Sequence, residues 1–155
     1  MEESSLESAR DLLKRRRDLL PKWIKFFIWV FFVFGAFIPL ILLLPLFGIS
    51  IGEISIYGLA STTPYSVTGL IVVALFALKA GVSYGLWTEQ KWGVDLARLD
   101  GTIGIIVCVI TTLVLPFIDA ENGINVSFRL EILLLIPYIW KMRGINLEWV
   151  EREKF

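Results

Sequence analysis

The run "WIKFFIWVFFVFGAFIPLILLLPLF", residues 23–47, constrains this chain more than any other feature, since Lys25 is its only charge. It is long enough to cross a hydrocarbon core, which takes about 20 helical residues. Arg15, Arg16 and Arg17 precede it, as basic residues precede a secretory signal. The run exceeds the roughly 7–15 apolar residues of a signal's core, and no small-residue cleavage site follows, so a retained span is expected.

Three further apolar runs cover residues 67–87, 92–118 and 126–142, the last interrupted by Arg129, Glu131 and Pro137. Apolar residues are 56% of the 155, against about 45–50% in soluble domains. The mean hydropathy is +0.72. The excess is gathered into runs, as a bilayer requires. The expected fold is all-α: one membrane domain over residues 1–155, built as a four-helix transmembrane bundle, with an interfacial helix at residues 1–21 and a tail at 143–155.

Lys plus Arg equals Asp plus Glu at 15 each, so overall charge favours no nucleic-acid partner. Its distribution is informative. Arg10, Lys14, Arg15, Arg16, Arg17, Lys22 and Lys25 precede or open the first span, Lys91 and Arg98 flank the middle turn, and Lys141, Arg143, Arg152 and Lys154 follow the last. The loops 48–66 and 119–127 carry no Lys or Arg. By the positive-inside rule this fits an even number of spans with both termini cytoplasmic, in a multi-pass protein of the cell's inner membrane. Trp23, Trp87, Trp92 and Trp140 are expected as anchors at the cytoplasmic interface, with Trp29 deeper.

Ser4 and Glu7 have capping-box spacing, and Leu6, Ala9, Leu12, Leu13, Leu19 and Leu20 follow along one side of a helix that Pro21 closes. Its basic residues suit anionic lipid headgroups or a partner protein. In the tail, Asn146 is expected to cap one more short helix whose contacts are Ile145, Leu147, Trp149 and Val150. In the first outer loop, "ISIGEISI" alternates about Gly52–Glu53, which predicts either a hairpin turning there or an apolar loop resting on the bilayer surface. The sequon "NVS" at Asn125 is read as chance.

Charges inside spans are costly and are functional hypotheses by default. Lys79 lies eight residues from the end of the second run, roughly 12 Å deep at helical rise. If the second and third spans form a hairpin turning at Glu89 and Gln90, Trp87 shares the depth of Trp92, Tyr84 that of Asp95, and Lys79 that of Asp100. A Lys79–Asp100 ion pair is therefore expected. Asp100, Gly104, Val107 and Thr111 form one seam of the third span, and Ser83 shares the face of Lys79. Ala77, Gly81 and Gly85 form a small-residue ladder able to admit another helix or a second copy of the chain. Glu131 falls about a turn into the fourth span, at a depth where Thr111 and Thr112 are expected to hydrogen-bond it. Otherwise it is a titrating carboxylate in a transport path. Pro39, Pro45, Pro116 and Pro137 lie in or near span ends, where proline can kink a helix.

Histidine is absent, which removes the usual general base and the commonest transition-metal ligand. A single cysteine, Cys108, permits no intrachain disulfide. No P-loop or GxSxG elbow occurs, and Lys79 with Ser83 has no further catalytic context. No metal, cofactor or enzymatic activity is expected.

The stretch "YGLWTEQKWGVDLA", residues 84–97, resembles a hairpin of small uncharacterised bacterial four-helix integral membrane proteins, in which a span ends in Gly-Leu-Trp, turns through charges and resumes at Trp-Gly. The resemblance implies no activity. Claudins, quinone-linked disulfide-forming proteins and small multidrug transporters share part of the outline. The first two lack their cysteine pairs here, and the third place their glutamate in another helix of a shorter chain. The expected function is that of a structural or accessory membrane protein whose cytoplasmic ends contact proteins or lipid. The alternative is a small ion- or proton-coupled transporter using Lys79, Asp100 and Glu131.

Overall fold

A computed structural model describes residues 15–114 and 130–151. Within them the chain is all-α, with four helices and one short hairpin. Helix α1 is Lys22–Leu43, prolonged by a 3-10 turn at Leu44–Phe47. Strands β1 (Ile54–Ile56) and β2 (Leu59–Ser61) follow, then α2 (Val67–Trp87), α3 (Gly93–Leu113) and α4 (Leu130–Glu151). The helices α1, with its 3-10 extension, α2 and α3 are each long and apolar enough to cross a membrane. Large apolar side chains such as Phe26, Val33, Phe37 and Leu113 lie exposed on them, as on a lipid-facing surface.

Successive helices pack in order, α1 on α2, α2 on α3 and α3 on α4. Glycine sets the closest approaches. A Cβ on Gly93 would lie 2.8 Å from the Gly85 carbonyl carbon, and one on Gly85 would meet the Trp92 ring at 2.5 Å. Of the expected ladder, Gly85 makes this close contact, Gly81 has ordinary van der Waals distance to Leu96, and Ala77 is exposed. Gly35 opposite Ala80 and Gly101 opposite Ile139 are further tight positions. Because backbone blocks the way at Gly93, a Gly93→Val variant should lose about 1–3 kcal/mol of stability, the usual cost of overpacking. Unfolding titrations in mixed micelles would read this, whereas Gly81→Ala should be close to neutral.

Two clusters form the interior. Near the α2–α3 turn, Leu20, Ile24, Ile28, Leu86, Val94, Met142, Ile145 and Trp149 pack together. Toward the hairpin, Ile56, Tyr57, Val72, Leu75, Cys108 and Leu135 form the second.

Several expectations are corrected. Residues 16–19 form a 3-10 turn flanked by extended backbone at Arg15 and Leu20, so no continuous helix reaches residue 20; residues 1–14 lie outside the described ones. Arg16 is buried. Helix α4 continues through residue 151, and Asn146 lies inside it rather than capping a new helix. The reason is the stripe Leu135, Ile139, Met142, Ile145 and Trp149, buried along one face at helical spacing. Trp140 is exposed beside Ile139, which packs on Gly101 of α3. The expected 115–118 end of the third span, the 126–129 start of the fourth, and Arg129 lie outside the described residues.

The hairpin turns at Tyr57–Gly58, with φ of 53° and 82°, and pairs Ile56 with Leu59. Turning at Gly52–Glu53 would have left Ile56 and Tyr57 without their buried places. Two positive φ values are those of a type I′ turn, which suits a two-residue hairpin. Thr111 Oγ1 donates to Tyr57 O at 2.8 Å and anchors the turn to α3.

Candidate functional site

Lys79 on α2 and Asp100 on α3 meet as expected: Nζ lies 3.0 Å from Oδ2 and 3.3 Å from Oδ1. Their side chains are 8% and 3% exposed, so the pair is screened from solvent between the two clusters. Lys79 Nζ also lies 4.8 Å from the Phe31 ring centroid and 4.7 Å from that of Tyr57. Each ring face adds to the ammonium's stabilisation.

This pair forms the floor of a cavity of about 380 Å³. Helix α1 contributes Trp23, Phe27, Phe31 and Phe34, α2 contributes Phe76 and Ser83, the hairpin contributes Ser55 to Tyr57, and α4 contributes Glu131, Leu134 and Tyr138. The cavity is the gap that α1 and α4 leave between them. Edge-to-face rings of Trp23 and Tyr138, centroids 6.5 Å apart, bridge one end, and the hairpin lies at the other. Phe34, Leu134 and Glu131 stay exposed, so the cavity opens sideways between the two helices.

Glu131 occupies the first turn of α4, where the helix N-terminus favours negative charge. Neither threonine reaches it, contrary to expectation. Thr111 Oγ1 is engaged by Tyr57 O and Cys108 O, and Thr112 Oγ1 is buried without a partner among the described residues. The contacts of α3 with α4 run Gly101 to Ile139, Gly104 to Leu135 and Cys108 to Glu131, so the threonines lie about a turn beyond Glu131. Cys108 Sγ instead approaches Glu131 Oε2 at 3.7 Å, a weak S–H donor. Ser83 is buried on the cavity wall, and Gly104 admits the Tyr57 ring, whose hydroxyl a Cβ there would meet at 2.7 Å. Burial, with the Asp100 charge next, pushes the Tyr57 phenol above its usual range, so it stays neutral. Its Oη has no hydrogen-bond partner among the described residues.

A second polar centre was missed by sequence reasoning. Glu89, in the α2–α3 turn, has φ of 57° and a side chain 4% exposed. Arg17 Nε lies 2.7 Å from its Oε1, Arg16 Nη1 donates to its carbonyl at 2.7 Å, and the Arg17 guanidinium sits 4.7 Å over the Trp87 ring. From the other end of the chain, Trp149 Nε1 donates to Gln90 O at 2.8 Å. This turn therefore ties the segment before α1 to the end of α4. Asp95 and Arg98 in the same stretch form only an exposed pair at 3.5 Å, of little energetic weight.

Among the described residues no three His, Cys, Asp or Glu side chains gather as metal ligands. Lys79, the base nearest in sequence to Ser83, is committed to Asp100. The arrangement is an apolar-walled space whose described lining carries three ionisable side chains, Lys79, Asp100 and Glu131. Compared with family models, curated proteins and solved structures, the chain matches none of them.

Proposed function

We propose that this is a multi-pass membrane protein that binds an amphiphile in the cleft between α1 and α4, as a small carrier would. The observation that supports it is the sideways-opening cavity, aromatic on its walls and carrying Lys79, Asp100 and Glu131. Ligand sites commonly occupy about 300–1,000 Å³ and combine apolar walls with a few polar groups. A tightly packed four-helix bundle without such a gap would have favoured a purely accessory role.

In this reading the turn at residues 88–91 lies on the cytoplasmic side. Arg16, Arg17 and Trp149 touch it, and Lys and Arg concentrate at that end while residues 48–66 have none. Both ends of the chain are then cytoplasmic, in the inner membrane of a bacterial cell. The accessory reading draws on Leu147 and Val150, exposed on α4 and available to a partner. It loses Arg16, Arg17 and Trp149, which are engaged within the chain.

Native mass spectrometry of protein released directly from membranes tests the cleft. The wild type should retain a bound amphiphile, and Leu134→Trp, which fills the mouth from an exposed position, should lose it. Equal retention by the two proteins would contradict the reading.

A further inference from the structure

Resting on the cleft as a binding site, we infer that its ligand is a lipophilic cation: an organic ammonium or phosphonium carrying apolar groups. Among the described residues, the charges lining the cavity are Lys79, Asp100 and Glu131. Lys79 and Asp100 neutralise one another at 3.0 Å, which leaves the carboxylate of Glu131. Among the described residues no cation pairs with Glu131, and its only polar contact is the weak one from Cys108. Counted over the described residues, the cleft thus carries one net negative charge at its mouth.

The walls agree with that sign. Trp23, Phe27, Phe31 and Tyr138 present aromatic surface, and rings attract cations through their negative faces while giving an anion no comparable contact. The structure itself contains an ammonium held this way, since Lys79 Nζ lies between the Phe31 and Tyr57 rings. Tyr57 adds a further ring to the lining, its hydroxyl packed against Gly104 of α3. An anionic amphiphile would meet Glu131 on entry and could not engage Lys79 without displacing Asp100.

The test compares two ions of nearly equal size and shape, tetraphenylphosphonium and tetraphenylborate, with neutral tetraphenylsilane, on the full chain in nanodiscs of zwitterionic lipid. The phosphonium should bind at least tenfold more tightly than the other two. Glu131→Gln should weaken its binding at least tenfold, and Glu131→Asp should restore most of it. Because Glu131 is exposed, both variants should keep the wild-type unfolding midpoint. Equal or tighter binding of the borate or the silane, lost in Leu134→Trp, would overturn the cationic assignment and leave the cleft intact. Absence of binding by all three would overturn the cleft and the assignment together.

Discussion

Replacing Asp100 with Asn should destabilise the protein by about 3–5 kcal/mol, the range found when one partner of a buried ion pair is removed. The loss comes from Lys79, which would be left without its carboxylate partner at a site 8% exposed, with only two ring faces beside it. The pair itself is not a strong source of stability, because desolvating both charges offsets most of their attraction. Lys79→Met combined with Asp100→Leu should therefore recover most of the loss. Unfolding titrations of the single and double variants in mixed micelles measure this. A double variant no more stable than Asp100→Asn would show that the pair is not what the single substitution disturbs.

Trp149→Ala should cost about 3–5 kcal/mol, as truncation of a fully buried aromatic side chain does. Trp149 is 0% exposed, packs with Leu20, Ile24 and Met142, and donates to Gln90 O. Trp149→Phe retains most of the packing and should lose only about 1 kcal/mol for the hydrogen bond. The Ala variant should also speed amide exchange at residues 88–91, because it removes one of the groups holding that turn. Unchanged exchange there would mean that Arg16 and Arg17 hold the turn without help from α4.

The Lys79–Asp100 contact was legible because a helical hairpin converts sequence separation into depth, and a charge deep in an apolar run needs a partner at its own level. Depth alone says nothing about which side of a helix a residue takes. For Glu131 the expected depth was itself off by about a turn: Gly104 meets Leu135 and Cys108 meets Glu131, which leaves Thr111 and Thr112 beyond it, with Thr111 bonded to the hairpin. The three helices able to cross a membrane could be read from apolar length alone.

Other features were hidden by local resemblance. Glu89 stands among Thr88, Gln90 and Lys91, so it reads as a solvated loop charge; only the fold brings Arg17 across to it from 72 residues away. Gly52 and Gly58 both offer a hairpin turn, and burial of Ile56 and Tyr57 selects the second. In α4 the charges Lys141 and Arg143 with Gly144 suggest an end to the helix. Met142, Ile145 and Trp149 nevertheless fall at helical spacing, and packing on α3 and the segment before α1 sustains the helix. The cavity itself had no signal in the sequence, because it arises from how far α1 and α4 stand apart.

Photolabelling in native membranes with diazirine-tagged amphiphiles, followed by peptide mapping, tests the cleft most directly. Label from a cationic probe is predicted on Phe27, Phe31, Leu134 and Tyr138, with protection by unlabelled probe. Label confined to outward-facing Phe26, Val33, Ile136 and Trp140, and insensitive to competition, would mean that the protein meets amphiphiles only as surrounding lipid and that the cleft is not a binding site.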